Sequence, residues 1–335
     1  QMRNLKRALS LALAAIMLVG MMVVSASAAS YNNLTDKDEI VNKDAVSMLV
    51  SLGIIEGKPD GSYGPTENVD RAQMAKMLSV IMNKGVDNSA LYQSVNSGLT
   101  DITSNWAKGH INYCYTTGII AGRGNGTFDP SATVTALEAA KMLLVAVGYD
   151  PKIEGFEGAD WAINVSVRAD EQGIFEGFTK DLSAPLNRDD AALLIYNALD
   201  VEMIQSYTTN NYPIAYSDHR TILADKYGVI KVQGVVVANE WASLASDDGD
   251  AALKEGKTTI YNGEGIFSTT GNTTVSKEDA SLKTQTFNVS TPVDMLGKTV
   301  NLYIKKTTIL ADSTVYGDPV VSDVNTVVTT GETVL

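Results

Sequence analysis

The feature that most constrains the fold of this chain is a motif that occurs three times between residues 31 and 203. A short loop that begins and ends in glycine recurs at Gly53–Gly57, Gly118–Gly122 and Gly173–Gly177. A proline follows twelve residues after the first glycine of each loop, at Pro65, Pro130 and Pro185. The copies are offset by 65 and then by 55 residues, so insertions fall between them, as they do in loops. Self-similarity at such a spacing indicates a repeat architecture.

Each copy predicts a helix, a glycine-rich loop and a second helix. The second helix carries apolar residues at i, i+3, i+4 and i+7 in a common register, in the first copy at Met74, Met77, Leu78 and Ile81. The first helices are predicted at about 38–52, 105–117 and 159–172. A unit of roughly 50 residues buries too little surface to be stable alone, so the three units are expected to share one core.

The second helices begin with the same chemistry in all three copies. Their N-cap positions hold Asp70, Thr135 and Asn187, and three positions further on stand Gln73, Glu138 and Asp190. Each pair approximates a capping box, in which two side chains satisfy backbone N–H groups reciprocally. These six residues are therefore predicted to be helix-capping.

The N-terminus has the pattern of a secretory signal peptide. Arg3, Lys6 and Arg7 precede an apolar run over residues 8–24, and the small residues that follow predict cleavage after Ala28. An uncleaved anchor helix is the alternative, because the apolar run is long for a signal peptide. With 1–28 set apart, the predicted division is three repeats at 31–86, 97–150 and 154–203, a linker at 204–220 and a β-rich part at 221–335.

The net charge of the chain excludes two classes of partner. Without the signal peptide, 23 Lys and Arg stand against 39 Asp and Glu, which gives a net charge of −16. Binding to nucleic acid and to anionic membranes depends on summed cationic contacts, so neither is an expected partner of the mature chain. The single cysteine, Cys114, excludes an internal disulfide and is predicted to be a buried, small apolar residue.

Beyond the linker the pattern changes from helices to strands. Segments rich in β-branched residues, bounded by Gly, Asp and Asn, predict strands at 229–238, 258–261, 284–289, 299–305, 313–316 and 320–328. Gly234 is expected to mark a bulge. A small antiparallel β-barrel or sandwich is favoured, so the fold class is α+β and multidomain. Gln1 precedes Met2, and Leu335 follows no evident ending, so we expect a fragment of a longer protein.

The repeat resembles the S-layer homology domain. The resemblance is carried by Asn105-Trp106-Ala107, the Gly-Ile-Ile-x-Gly loop, Asp60-Gly61-Ser62-Tyr63, and Val69-Asp70-Arg71-Ala72-Gln73 in the place of the family's Thr-Arg-Ala-Glu motif. It covers about half of the chain. It implies a pseudo-threefold, three-pronged all-α trimer of repeats. It also implies binding to a secondary cell-wall polymer, often pyruvylated, that is attached to peptidoglycan.

Two arginines are the leading candidates for ligand binding. Arg71 and Arg188 occupy the first helical position, where the helix dipole does not favour a cation, so capping alone does not explain them. An anion there would meet a guanidinium and free backbone N–H groups, which suits a pyruvate-like carboxylate. Solvated surface is the alternative for both arginines. Lys58 and Arg123, in the glycine-rich loops, are weaker candidates.

Departures from the family pattern limit the number of sites. The second copy has Ala136 in place of the arginine, and the first has Val41 in place of Trp106 and Trp161. The third copy also lacks the loop aromatic residue that the first two supply at Tyr63 and Phe128. We therefore expect two competent grooves, centred on Arg71 and Arg188, each built from more than one copy. The two tryptophans could stack on sugar rings, and packing in the core or at a ledge is the alternative.

Three other features predict no catalytic chemistry. Gly122–Gly126 looks like a phosphate-binding loop, but a helix precedes it and Pro130 follows it. Asp247–Asp250 lacks the spacing of a calcium loop. The histidines, His110 and His219, lie in no nucleophile or metal motif. Hence no catalytic residue, metal site or cofactor is predicted.

The predicted function is non-covalent anchoring of a surface-layer or other cell-surface protein to the wall of a bacterium. Self-association in a surface lattice is a further expectation, and the chain is expected not to be an enzyme. One alternative is a surface-anchored polysaccharide or wall hydrolase whose catalytic domain lies beyond Leu335. Another is a solute-binding or adhesion protein whose β-rich part binds a glycan.

Overall fold

A computed structural model describes residues 31–244, 252–263, 265–266, 268–270, 283–305 and 313–321. The predicted signal peptide, the acidic turn at 247–250 and the predicted strand residues 322–328 lie outside the described residues. Helices occupy the first part of the described chain and antiparallel sheets the second, so the fold class is α+β, as predicted. Among the described residues, no helix has both the length and the hydropathy needed to cross a membrane.

Each copy contributes two α-helices within residues 31–203. They are α1 Lys43–Ser51, α2 Arg71–Met82, α3 Lys108–Thr116, α4 Ala136–Val147, α5 Trp161–Glu171 and α6 Arg188–Leu199. The second helices α2, α4 and α6 begin directly after Asp70, Thr135 and Asn187. The first helices begin later than the sequence predicts. In α3 the reason is local, because the Asn105 side chain accepts a hydrogen bond from the Ala107 N–H and holds a turn there.

The three caps are closed to different degrees. The Asp70 side chain accepts from the Gln73 N–H, and the Gln73 side chain accepts from the Asp70 N–H, which completes a capping box on α2. Thr135 and Glu138 do the same on α4. On α6, the Asn187 side chain accepts from the Asp190 N–H, but the Asp190 carboxylate pairs with Lys180 instead of returning to the cap.

Backbone hydrogen bonds join the three copies in a closed ring just before the second helices. The Val69 N–H donates to the Leu186 carbonyl (2.8 Å), the Leu186 N–H to the Val134 carbonyl (2.8 Å), and the Val134 N–H to the Val69 carbonyl (2.9 Å). One residue comes from each copy. Since each buried donor is satisfied by a different copy, the three loop ends are held in one fixed arrangement.

The helices pack across the boundaries between copies. The second helix of one copy lies against the first helix of another: α2 against α3, α4 against α5, and α6 against α1. All six helices contribute fully buried side chains to a single hydrophobic core, among them Leu49, Leu78, Ile111, Leu143, Val165 and Leu194. The Cys114 side chain is also buried in this core, as predicted from the sequence.

The segment predicted to be a linker contains a β-hairpin. Strand β1 Ile204–Tyr207 pairs antiparallel with β2 Pro213–Ala215. The hairpin is tied to the end of copy 2 and the start of copy 3, because the Tyr207 hydroxyl accepts from the Asp150 N–H (2.9 Å) and donates to Glu154 (2.9 Å). Its polar composition reflects these hydrogen bonds and its exposure, so composition alone does not reveal the hairpin in this segment.

The β-rich part forms one antiparallel sheet. Its strands are β3 Val229–Asn239, β4 Thr258–Tyr261, β5 Ser268–Thr270, β6 Thr284–Phe287, β7 Thr299–Lys305 and β8 Thr314–Val321. The order is β6-β4-β3-β7-β8, and β5 also pairs with β3. The choice between barrel and sandwich stays a prediction.

The predicted bulge at Gly234 is wrong. Gly234 pairs in regular register with Val300, and the register of β3 against β4 shifts between Val236 and Ala238 instead. The glycine serves a close approach, because a Cβ there would stand 2.9 Å from the Tyr261 carbonyl oxygen and 3.1 Å from Ile260.

One face of this sheet packs on the helical core. Gly317 of β8 lies against the backbone of Met48 in α1, and a Cβ at residue 317 would stand 3.2 Å from the Met48 Cα. The Tyr196 hydroxyl of α6 donates to the Tyr303 hydroxyl of β7 (3.0 Å), and Tyr303 belongs to the helical core. The two parts of the chain therefore bury a common surface, while a second core lies on the other face of the sheet.

Candidate functional site

An aspartate anchors the glycine-rich loop in each of the first two copies. The Asp101 carboxylate accepts from the Phe128 N–H (2.9 Å) and the Asp129 N–H (2.6 Å). The Asp36 carboxylate accepts from the Tyr63 N–H and the Gly64 N–H, both at 2.7 Å. Burial opposes ionisation of each aspartate, but these backbone donors outweigh it and lower the pKa of both carboxyl groups. Each aspartate therefore fixes two successive backbone N–H groups of its loop.

Each candidate arginine clamps the loop of another copy. Arg71 donates through Nε to the Phe128 carbonyl (2.8 Å) and through Nη2 to the Ala121 carbonyl (2.9 Å). Its guanidinium lies 4.4 Å from the centre of the Phe128 ring. Arg188 repeats the arrangement on the loop of copy 1, donating to the Tyr63 carbonyl (2.8 Å) and lying 4.7 Å from the Tyr63 ring. Both arginines thus have a structural task, whatever else they bind.

The expectation of free N–H groups at the helix starts is wrong. In α2 the Arg71 N–H donates to the Ala132 carbonyl and the Ala72 N–H to the Pro130 carbonyl, both at 2.9 Å. The third N–H, of Gln73, is taken by the Asp70 side chain. Sequence reasoning missed this because the acceptors belong to another copy. An anion bound near Arg71 would therefore not be held by the helix-start N–H groups of α2.

A cleft of about 550 Å³ brings residues of all three copies together, and we call it groove A. Arg71 of copy 1, Arg123, Glu138 and Lys141 of copy 2, and Trp161 of copy 3 line it. Arg71 is only 4% exposed, so little of its side chain faces solvent. Burial and the nearby Arg123 lower the pKa of Arg71, while Glu138 opposes this. The groove therefore combines cations with an aromatic face.

Lys141 is a groove residue that the sequence reasoning missed. Its ammonium lies 5.6 Å from the centre of the Trp161 ring. Half-burial lowers the pKa of Lys141, Glu157 raises it and Arg71 lowers it further. Among the described residues it has no hydrogen-bond or ion-pair partner. The signal was available, because Lys76 and Lys141 occupy the same position, six residues after the N-cap, in copies 1 and 2.

The equivalent position around Arg188, which we call groove B, holds the same residue types in the repeat, one step around the ring. Arg188 comes from copy 3, Lys58 and Lys76 from copy 1, and Trp106 from copy 2. The Arg188 side chain reaches the Glu56 carbonyl (3.3 Å), as Arg71 reaches that of Ala121. Trp106 is 57% exposed, so its large apolar surface is available for contact.

The third equivalent position, called groove C, has none of these four groups: the arginine, the loop cation, the lysine and the tryptophan. Ala136 stands in place of the arginine, Phe178 in place of the loop cation, Leu193 in place of the lysine and Val41 in place of the tryptophan. Copy 2 still meets copy 3 here, because the Leu137 N–H donates to the Leu182 carbonyl (3.1 Å). None of the four residue types occurs at this position, whereas all four occur together at the other two.

A serine, a histidine and an aspartate also lie close together near groove B. The Ser79 Oγ lies 2.6 Å from Nδ1 of His110, and Nε2 of His110 lies 3.6 Å from the Asp87 carboxylate. Ser79 and His110 are each 4% exposed, and the serine hydroxyl lies within hydrogen-bond distance of the Lys76 carbonyl (2.9 Å). A nucleophile must reach its substrate, so this buried group serves packing between α2 and α3. Among the described residues, no cluster of His, Cys, Asp or Glu has the geometry of a metal site.

Comparison with known proteins assigns the repeat to a family. The sequence model of the S-layer homology domain matches residues 33–75 and 98–140. Each match contains a first helix, the glycine-rich loop and the start of a second helix, which supply Arg71 and Arg123 to groove A and Lys58 and Trp106 to groove B. The third copy carries the same helix, loop and helix order without a match of its own.

The names of similar proteins indicate different functions. A "Cell surface protein" of Thermoanaerobacter kivui is 27% identical over 270 residues, 80% of this chain and 32% of that protein. An "S-layer protein" of Bacillus licheniformis is 34% identical over 113 residues, 34% of this chain and 12% of that protein. An "Amylopullulanase" of Thermoanaerobacterium thermosulfurigenes is 30% identical over 173 residues, 47% of this chain and 9% of that protein. The chain spans a third or less of the length of these relatives.

The family match covers the glycine-rich loops of copies 1 and 2 and the starts of α2 and α4, and the relative with the longest of these alignments is named for the cell surface. Residues 33–75 and 98–140 are therefore S-layer homology domains, in a chain that is similar to proteins named for the cell surface.

Proposed function

We propose that the three copies form a pseudo-threefold module that anchors the protein non-covalently to the cell wall. The ligand is an anionic secondary cell-wall polymer that carries pyruvate ketals, and grooves A and B hold its acidic sugars. The observation that carries this proposal is the coordinated retention of arginine, loop cation, lysine and tryptophan in two grooves and their joint loss in the third. A purely structural role for each residue would not require the four to disappear together.

The chemistry of the groove suits an acidic sugar. A carboxylate can pair with the Lys141 ammonium, which is half-buried and has no partner among the described residues. The adjacent Trp161 ring offers a face against which a pyranose ring can pack. Because the mature chain is strongly acidic overall, an anionic polymer is attracted only where such cations are concentrated.

Wall binding by the full chain tests the proposal with variants that leave the loop clamps intact. The double variant Lys76→Gln, Lys141→Gln removes one cation from each groove, and Trp106→Ala, Trp161→Ala removes the aromatic faces. We expect each to reduce co-sedimentation with purified wall at least about tenfold, since charged hydrogen bonds contribute roughly 1.5–3 kcal/mol each. Lys84→Gln, two residues beyond the C-terminal end of α2, is the control for loss of a positive charge and should bind like the unaltered protein.

The identity of the polymer that supplies the acidic sugar is tested with the wall itself. Wall from which the pyruvylated polymer has been extracted should retain little protein, and extracted polymer should compete with intact wall. Equal retention by stripped wall, or equal binding by the lysine variants, would refute the anchoring proposal. The full chain is required because the helical core continues into the sheet through Tyr303 and Val229.

Two wider roles depend on the protein outside these grooves. The S-layer relative supports self-association in a surface lattice, for which ordered arrays on wall fragments in electron micrographs are the test. The alignment with an amylopullulanase supports the alternative that such a module anchors an extracellular polysaccharide hydrolase. Release of reducing sugars from pullulan or from purified wall polymer by the intact protein would favour that alternative.

A further inference from the structure

Grooves A and B differ at one position beside their cations. The third residue of the second helix is Glu138 in groove A and Gln73 in groove B. Both side chains do the same work for the fold, since Gln73 Oε1 accepts from the Asp70 N–H (3.0 Å) and Glu138 Oε2 from the Thr135 N–H (3.2 Å). The capping box therefore does not require a negative charge at this position.

In groove A the negative charge of Glu138 lies against the cations of the groove. Its Oε1 is 3.1 Å from Nη1 of Arg123 and 3.8 Å from Nη1 of Arg71. The Glu138 side chain is 20% exposed and that of Arg71 5% exposed, so water screens the pair weakly. Glu157 lines the same groove and acts on Lys141. An incoming carboxylate would meet cations that are already partly neutralised.

Groove B keeps its acids away from its arginine. The guanidinium of Arg188 donates to two backbone carbonyls, and within the described chain no carboxylate lies within 4 Å of it. The acids of groove B are Glu67, which pairs with Lys58, and Glu56, which lies 3.8 Å from Lys76. The side chains of Glu56 and Glu67 are 70% and 55% exposed, so solvent and salt screen their charges.

We infer that the two grooves are unequal anion sites and that Glu138 sets the difference. Groove B is the tighter site for the acidic sugar, and groove A is a weaker site because Glu138 competes with the ligand for Arg71 and Arg123. This inference rests on the proposed function, since it concerns the same ligand. It predicts that a wall polymer binds groove B first and that a second acidic sugar of the same polymer then binds groove A. Simultaneous binding at both grooves raises the overall affinity for the wall even though groove A is weak.

Exchange of the two residues tests the inference. The probe is a monosaccharide that carries a pyruvate ketal, titrated calorimetrically into the full chain. Glu138→Gln should tighten binding at groove A about three- to tenfold, and Gln73→Glu should weaken groove B by a similar factor. Each groove is measured alone by removing binding at the other. Lys76→Gln with Trp106→Ala silences groove B, and Lys141→Gln with Trp161→Ala silences groove A.

The controls separate this inference from the anchoring proposal. Glu138→Gln should melt with the unaltered protein, because glutamine completes the same box in α2. The difference between the grooves should shrink at high salt. If the silencing variants abolish binding but the exchanges leave both dissociation constants unchanged, the inference fails and the anchoring proposal stands. If the probe binds to neither groove in any variant, both fail.

Discussion

Removal of the Thr135 hydroxyl should destabilise the protein by a calculable amount. The Thr135 side chain accepts from the Glu138 N–H at 3.2 Å, and the Glu138 side chain accepts from the Thr135 N–H at 3.2 Å. Thr135→Ala deletes the first bond and leaves the Glu138 N–H without its acceptor. The matched variant Thr135→Ser keeps the hydroxyl and loses only a methyl group.

The magnitude follows from what the cap supplies. Replacing a threonine N-cap by alanine costs about 1 kcal/mol, within a range of roughly 0.5–2 kcal/mol. In a cooperative unit of the size of residues 31–203, that corresponds to a fall of about 2–4 °C in melting temperature. Thr135 lies outside the set of four side chains that recur in the grooves, so wall affinity should change little.

Thermal and urea unfolding followed by circular dichroism measure the effect. Thr135→Ala should lower the melting temperature and the urea midpoint while leaving the slope of the urea transition unchanged. Thr135→Ser should stay close to the unaltered protein. If the alanine and serine variants melt together, the hydroxyl contributes nothing and the capping argument is refuted.

Three further outcomes follow from buried groups and from one close contact. Burial and the nearby Lys76 lower the pKa of His110 while Asp87 opposes them, so the folded state favours neutral imidazole. Stability should be full above about pH 6.5 and fall as the pH drops through that value, and His110→Gln should flatten this part of the pH profile of the unfolding free energy. Gly317→Ala should destabilise more than Gly98→Ala in urea titrations, because both glycines have positive φ but only Gly317 lies against Met48; equal losses would argue against that contact. Burial also raises the pKa of the Cys114 thiol, so a thiol reagent should label it only after unfolding, and rapid labelling of the native protein would contradict its placement in the core.

Local chemistry explains which parts of the fold could be predicted. The second helices begin where their caps predicted, because a cap and its partner lie three residues apart and need no distant contact. The strand at 299–305 was predicted with the observed bounds for the same reason, since its β-branched pattern is local. The hairpin at β1 and β2 was missed because Tyr207 is anchored by Asp150 and Glu154, far away in sequence.

The candidate site also contains residues that local sequence could suggest and contacts that it could not. Arg71, Arg188 and the tryptophans could be proposed from the sequence because each stands at a fixed position in a repeated motif. Lys141 was missed, although comparison of equivalent positions in the copies would have identified it. That the helix-start N–H groups are occupied by Pro130 and Ala132 could not be known, since those acceptors come from another copy.

By itself, the sequence determined the three copies, the caps of their second helices and the loss of cationic and aromatic side chains at one of three equivalent positions. These are properties of neighbouring residues and of repeated spacing. Only the tertiary structure decided which copies meet at each groove, that Arg71 and Arg188 clamp the loops of other copies, and that Glu138 lies against the cations of groove A. Most of these contacts join residues 50 or more positions apart, and their geometry is set by the packing of all six helices around one core.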